Sequence, residues 1–470
     1  MISPSLHPAP VRAAFVPRRR WAFGLTPLTI WLLAAGFLLL IPGFYVERFS
    51  YAMLVWDGLL LAAALLDAMR LPRATQLTGE RNWINAPALD SQAEIELTIV
   101  NQGRVIVECR LLDDLPTALL AHSATLKLRA FPRVPVAVRY RIDPVERGDW
   151  ETGWLYVRYR SPLGLAERWA RAPLTQTVRV YPTLRTTEEQ QIFLARSRQI
   201  DLQLRQARQR GLGRDFESLR DYREGDDLRD VCWTATARRG ALITRQYQTE
   251  RSQPVWIVLD CGRLMQSRHL RPHETSEAQR EHAHSKLDYA CSTAVALAQL
   301  ALYSGDRVGL LAYGQGIQQR LLPGRGAAHL RQLIELLAQV KVETSEADHL
   351  RATAVLNRLQ PRRSLILWVT DLAETAMRPE VIDGAVQLLR RHVLLFVAMA
   401  QPEVDAIAKA HPKSVDQMFR SAAAQEMTGR RELLLARLHE QGALTLDLNP
   451  EALTPSVLNQ YLMVKERAMV

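Results

Sequence analysis

Cysteine is scarce in this 470-residue chain: Cys109, Cys232, Cys261 and Cys291 are all it has. None forms a CxxC pair, and the spacings fit no zinc or disulfide framework. Isolated cysteines of this kind act as small buried hydrophobes, which suits a reducing compartment. Charge is absent from Trp21 to Val46. That gap exceeds the ~20 apolar residues needed to cross a bilayer. A nucleophilic set is also lacking, since no Ser/His/Asp or Cys/His arrangement can be argued from the chain.

What is present is ordinary for globular protein: 48% hydrophobic and 23% charged residues. This excludes wholesale disorder. The length predicts two or three domains. The net charge of +11 is carried mainly by arginine. Such a balance points to nucleic acid or to anionic lipid, depending on where the charges lie.

A second apolar run covers Phe49 to Met69, with Glu47 and Arg48 between it and the first. The spacing predicts an antiparallel transmembrane hairpin over residues 1–73, with spans at about 23–45 and 49–69. A second span so close makes the first a poor signal peptide. Arg18, Arg19 and Arg20 precede the hairpin, and Arg70 and Arg73 follow it. By the positive-inside rule both termini and the soluble domains face the cytoplasm, under a bacterial inner membrane. Asp67 is expected to meet Arg70 or headgroups. Asp57 lies deeper, and is expected to face the first helix near Gly36, or an oligomer seam, in preference to an ion pathway.

Residues 74–185 read as a β-sandwich. Glu94 to Val100 alternates polar and apolar, as do Val134 to Ile142 and Trp154 to Tyr159. Asn101-Gln102-Gly103 and Arg147-Gly148-Asp149 supply turns, and the pattern suggests an immunoglobulin-like fold. Residues 186–253 begin as a basic helical linker with Arg196, Arg198, Arg205, Arg208 and Arg210. Stacking aromatics are nearly absent there, so specific nucleic-acid binding is not expected, and proximity to membrane lipid is. From residue 254 to 470 apolar strands alternate with helices, which predicts a doubly wound α/β sheet. The strands are Val255–Leu259, Arg307–Tyr313, Leu365–Thr370, Val393–Met399 and Ala443–Leu448.

The densest motif runs from Gly213 to Arg238. It mixes Arg214, Arg220, Arg223 and Arg229 with Asp215, Glu217, Asp221 and Glu224, beside Phe216, Tyr222 and Trp233. Gly225 reads as a turn, Asp226 and Asp227 suit a helix start, and Gly240 suits its end. The stretch closely resembles the hallmark of a bacterial family known as domain of unknown function 58. Arg147-Gly148, Ser161-Pro162-Leu163-Gly164-Leu165, Val180-Tyr181-Pro182 and Gly305-Asp306-Arg307-Val308-Gly309 add support. The resemblance implies a membrane hairpin, a β-sandwich and a von Willebrand A-like domain. It also implies a partner, a MoxR-type AAA+ ATPase, in complex assembly or envelope stress response. The motif residues Asp215, Phe216, Arg220, Tyr222, Gly225, Asp226, Asp227, Arg229, Trp233 and Arg238 are expected at an interdomain or partner contact. Interleaved opposite charges favour the first role, and the Trp, Tyr and Arg content favours the second.

Von Willebrand A domains that bind Mg²⁺ carry Asp-x-Ser-x-Ser after the first strand, with a later Thr and Asp. Here the run is Asp260-Cys261-Gly262-Arg263-Leu264, with Asp371 at the later position. Both serines are lost, and no Thr occurs in Pro323-Gly324-Arg325-Gly326. The expectation is a degenerate site without a cofactor, in which Arg263 neutralises Asp260 and Asp371. The histidines between Gln266 and His284 read as a surface insertion. The leading expectation is a non-catalytic membrane-tethered adaptor. The alternatives are a metal-dependent hydrolase using Asp260 and Asp371, or a membrane-associated nucleic-acid binder.

Overall fold

The computed structural model describes residues 8–18, 23–39, 41, 48–121, 125–183, 191–193, 195–197, 215–223, 231–248, 252–269, 283–372 and 380–467. The chain divides into two compact units, Met1–Thr183 and Leu184–Val470.

In the first unit, strands β1 (Val11–Ala14), β2 (Val16–Pro17) and β3 (Phe23–Leu25) come before any helix. Helices α1 (Pro27–Gly36) and α2 (Arg48–Arg70) follow. Ten more strands complete the unit: β4 (Leu77–Trp83), β5 (Ala93–Asn101), β6 (Val107–Asp113), β7 (Leu119–Ala121), β8 (Leu126–Ala130), β9 (Pro135–Pro144), β10 (Gly148–Thr152), β11 (Leu155–Arg160), β12 (Ala166–Ala172) and β13 (Gln176–Val180). They form one antiparallel sheet in the order β1-β4-β5-β9-β7 and a second in the order β2-β12-β11-β6-β8, with β3 also on β12. The pair β10-β13 stands apart. Strand β5 shows the strict alternation of buried and half-buried positions that its sequence predicts. Its Ile95, Leu97 and Ile99 share one core with Leu111, Val157 and Ala170 of the other sheet.

The predicted hairpin needs two corrections. Residues 1–73 are not all membrane segment, because β1, β2 and β3 pair with β4 and β12. The first span does not begin at residue 23 either. Phe23-Gly24-Leu25 is apolar enough to pass for membrane, yet its backbone extends β12, and Gly24 lies so close to the Trp169 ring that a Cβ would sit 2.8 Å from it. Helix α1 starts only after Thr26, which caps it. Among the described residues one helix is long and apolar enough to cross a membrane, Tyr51–Arg70.

Asp67 meets neither Arg70 nor solvent. It is buried, with Ser161 Oγ donating to it at 2.6 Å and the Leu165 and Ala166 amides at 3.2 and 3.1 Å. The Ser161-to-Leu165 loop therefore holds the end of α2 through a carboxylate. The same loop receives α1, as Thr29 Oγ1 donates to the Leu165 carbonyl at 2.6 Å. Ala68 and Leu71 continue into the sandwich core. Asp57 does face Gly36, but its inward oxygen has no hydrogen-bond partner among the described residues.

The second unit begins with a small module, strands β14 (Asp215–Asp221) and β15 (Ile243–Gln248) flanking helix α3 (Trp233–Arg239). The main sheet has strands β16 (Pro254–Asp260), β17 (Arg307–Tyr313), β18 (Ile317–Gly324), β19 (Leu365–Thr370), β20 (Val393–Met399) and β21 (Leu444–Leu448). Its order is β18-β17-β16-β19-β20-β21, all parallel except the antiparallel edge pair β17-β18. Helices α4 (Lys286–Tyr303), α5 (Gly326–Gln339), α6 (His349–Leu359), α7 (Glu380–Leu389), α8 (Pro402–Lys409), α9 (Val415–Glu440) and α10 (Leu453–Glu466) connect the strands. One face packs Trp256, Trp368 and Phe396 against Leu356 of α6, Leu388 of α7 and Leu438 of α9. Asp306 anchors the last helix: Tyr461 Oη donates to it at 2.6 Å and Lys465 Nζ approaches at 3.3 Å. All four cysteines are free and buried.

Candidate functional site

Strands β16 and β19 are neighbours where the strand order reverses. Such a switch point opens a crevice at the carboxyl ends of the strands. Both strands are apolar, and β16 is buried from Val255 onward and β19 throughout, so their first ionisable residues fall at those ends: Asp260 closes β16 and Asp371 follows β19.

Asp260 is 4% exposed and fully satisfied. The Gly262 amide donates to one oxygen at 2.7 Å and Thr370 Oγ1 to the other at 2.6 Å. Burial pushes its carboxyl up to about 6, against the lowering effect of those two donors, and the charges of Asp371 and Glu343 add to the rise. Asp371 is completely buried. Lys286 Nζ lies 2.6 Å from one of its oxygens, and Gln401 Nε2 donates at 3.1 Å. Lys286 is the first residue of α4, which Ser285 and Asp288 cap reciprocally. A cation at a helix N-terminus opposes the macrodipole, so this lysine is tolerable through its carboxylate partner.

Lys286 corrects the expectation for Arg263, whose side chain is exposed. The loop that packs against Asp260 is also not Pro323–Gly326, which instead ends β18 and opens α5. It is the segment around residues 343–348: the Glu343 amide donates to the Cys261 carbonyl at 2.7 Å and the Arg263 amide to Ser345 at 2.9 Å. A Cβ on Gly262 would lie 2.9 Å from the Ala347 nitrogen, so a serine at this position has no room. Glu343 is itself satisfied by the Gln315 amide and by Gln318 Nε2, at 2.8 and 2.9 Å. Sequence reasoning missed Lys286, Thr370, Glu343 and Gln401. Only the Ser285-Lys286-Leu287-Asp288 capping box could have flagged the first, by placing a lysine where helices disfavour one.

These residues do not fit Mg²⁺, which demands near-octahedral oxygen ligands, because an ammonium already contacts the Asp371 carboxylate. Among the described residues no group of three His, Cys, Asp or Glu side chains could hold a metal ion. A fragment spanning residues 184–470 should accordingly melt at an unchanged temperature in millimolar Mg²⁺. A ligand at 100 times its Kd would add ~2.7 kcal/mol, and a rise of that kind lost in Asp260→Ala would refute the fit. The same sheet carries a buried hydrogen-bonded network, in which Trp368 Nε1 donates to Tyr313 Oη at 2.7 Å and His349 Nδ1 is 2.9 Å from that hydroxyl.

The Asp260 carboxyl also sets a pH dependence. Its folded pKa of about 6 exceeds its unfolded value, so the native state holds the proton more tightly. The stabilising contribution is complete below about pH 4 and is lost as pH rises towards 6. A shift of roughly two units corresponds to about 3 kcal/mol. Urea unfolding of the same fragment between pH 4 and 7 should show this loss, and Asp260→Asn should flatten it.

The described motif residues lie in the small module at the start of this unit. Asp215 and Phe216 are in β14, opposite Gln248 and Tyr247 of β15. Arg220 is half-buried in the same strand, and Tyr222, also half-buried, donates its amide to the Leu242 carbonyl at 2.9 Å. Gly225, Asp226, Asp227 and Arg229 lie outside the described residues. Trp233 opens α3 and is 64% exposed, Arg238 is exposed near its end, and Gly240 stops the helix with φ of 69°. Of the linker, Arg196 is described, with its guanidinium 2.9 Å from Asn459 Oδ1. His269 and His284 both stand edge-on to Tyr289, whereas His273 and His282 lie outside the described residues.

Residues 218–412 match the family profile described as "Protein of unknown function DUF58". The chain carries a DUF58 region. It runs from within β14 to just past the end of α8 and includes Asp260, Lys286 and Asp371. Among solved structures, the protein BatB from Bacteroides thetaiotaomicron is 12% identical, with 46% of this chain and 100% of that chain covered and a TM-score of 0.29. The SpRpn10 VWA domain is 10% identical, with 45% and 95% covered and a TM-score of 0.25. An uncharacterized membrane spanning protein from Vibrio fischeri is 12% identical, with 44% and 96% covered and a TM-score of 0.18. No curated protein matches the chain.

Proposed function

We propose that this DUF58 chain is a membrane-tethered adaptor, without catalysis of its own, that presents its von Willebrand A-like domain to a MoxR-type AAA+ ATPase during complex assembly or envelope stress response. The observation that carries this reading is the Lys286–Asp371 ion pair at the switch-point crevice. It commits one carboxylate to an ammonium, while Thr370 and Gly262 saturate the other. A crevice so paired suits a recognition surface better than a hydrolytic centre. The tether is α2, in which Leu54, Leu59, Leu65 and Leu66 point outward and an 18-residue window is only 17% buried. Helix α1 lies along it, with Trp56 Nε1 donating to the Leu32 carbonyl at 3.2 Å. We read the two as a hairpin in the bacterial inner membrane, with the immunoglobulin-like unit and the α/β unit on the cytoplasmic side where the flanking arginines lie.

Exposed Trp233, with exposed Arg238 five residues further along α3, supports partner docking as the role of the motif. In a pull-down of the full-length chain by a MoxR-type ATPase with ATP, Trp233→Ala should abolish capture. Its melting temperature should stay close to that of the parent, since an exposed substitution costs within about 0.5 kcal/mol. Undiminished capture would refute docking through α3.

A further inference from the structure

The outer face of the second sheet of the first unit carries a row of positive charge that is compensated at one end only. Arg110 of β6 lies directly opposite Lys127 on β8 and directly opposite Arg158 on β11. Three cations thus stand side by side in cross-strand register, an arrangement that is destabilising without a counter-charge. The neighbouring row is balanced: Glu108 receives Arg129 and Arg160, which hold its carboxyl below the usual range, Arg160 foremost. Glu167 takes Arg158 at 2.6 Å. Arg110 and Lys127 are exposed, and no described carboxylate pairs with either. The first sheet shows no such imbalance, since Arg139 and Arg141 of β9 pair across to Glu96 and Glu94 of β5.

These side chains line a cavity of about 650 Å³ that also includes Pro27 and Leu28, the first residues of α1. Five cations face two carboxylates in its wall. On α1, Leu28 and Trp31, one turn apart, are 49% and 75% exposed. The cavity is therefore cationic at its base and apolar where α1 departs from the sheet.

We propose that this cavity binds the phosphate headgroup of an anionic phospholipid, with Arg110 and Lys127 contacting the phosphate and the acyl chains running along Leu28 and Trp31. The proposal rests on the reading of α1 and α2 as the membrane tether. A bare cationic patch would serve any polyanion. The apolar helix start in the same cavity selects an amphiphile, and Trp is a side chain of the headgroup level. The bound phosphate supplies the counter-charge that Arg110 and Lys127 lack.

The test melts the full-length chain, purified in neutral detergent, with dioctanoyl phosphatidylglycerol, dioctanoyl phosphatidylcholine, glycerol phosphate or a single-stranded oligonucleotide. Phosphatidylglycerol should raise the melting temperature saturably, and the other three should need at least tenfold higher concentration for the same shift. The Arg110→Gln/Lys127→Gln variant should melt no lower than the parent without lipid, because the repulsion is gone. Its response to phosphatidylglycerol should require at least tenfold more lipid. An equal response to phosphatidylcholine, glycerol phosphate as potent as the lipid, preference for the oligonucleotide, or an unchanged variant would each overturn the site. Alkaline carbonate extraction separates the underlying reading. Release of the protein from membranes sinks the tether and the lipid occupant together, whereas retention with no phosphatidylglycerol response sinks only the headgroup site.

Discussion

Lys286→Ala is expected to destabilise the α/β unit by about 3–5 kcal/mol, the usual consequence of removing one partner of a buried ion pair. Asp371 is completely buried and would lose the ammonium that lies 2.6 Å from its carboxylate. Desolvation then leaves the carboxylate two outcomes, to take up a proton or to admit water, and both weaken the packing around β19. Replacing both partners, as in Lys286→Met with Asp371→Leu, should recover most of the loss, because apolar side chains of similar volume often substitute for buried pairs at little cost. Urea unfolding of residues 184–470 measures both variants. A single variant as stable as the parent would remove Lys286 from its structural role.

The second large effect is expected at Arg81, in the first unit. Its guanidinium is fully buried between the two sheets and pairs with Asp113. It also donates to Thr152 Oγ1 at 2.8 Å and to the Leu174 carbonyl at 2.7 Å. Tyr140 donates its hydroxyl to the same aspartate, and burial, aided by the Asp113 charge, pushes that hydroxyl well above its usual range. Arg81→Ala strands Asp113 and leaves a void beside Leu174, so a cost of about 3–5 kcal/mol is expected. Because Phe15, Ala68 and Leu71 belong to the same core, the measurement requires the full-length chain in detergent. Amide exchange in β4, β5 and β6 should accelerate at least a hundredfold, and exchange in β16 and β19 should not change. Unaltered exchange in β4 would show that the arginine is dispensable.

Arg81 also illustrates where sequence patterns stop. In Leu77–Trp83 it occupies a fully buried position of the alternation, between Gly79 and Trp83. Period-two reasoning assigns such a position to an apolar side chain. The arginine fits because Asp113, Thr152 and Leu174 arrive from other strands, 32, 71 and 93 residues later. Lys286 is the same case in the second unit, since its partner is 85 residues away. Strand β18 and helix α6 were also missed. Ile317–Gly324 is an edge strand with half-exposed positions, and His349–Leu359 carries two arginines and an asparagine. Neither has the continuous apolar run that marked β16, β17, β19 and β20.

By itself the sequence determined the features that follow from local pattern. These are the buried parallel strands, the alternating strands of the sandwich, the apolar α2, the glycine that ends α3 and the pair of aspartates at the strand ends. Each depends on periodicity or on one residue's backbone preference within a few positions. Only the tertiary structure decided what those aspartates do. The choice of Lys286 over Arg263, the crowding of Gly262 by Ala347, the capture of Asp67 by the Ser161-to-Leu165 loop and the cationic row on β8, β6 and β11 all depend on segments distant in sequence. Charge pairing acts over a few ångströms in space, and sequence separation does not constrain which partners meet there.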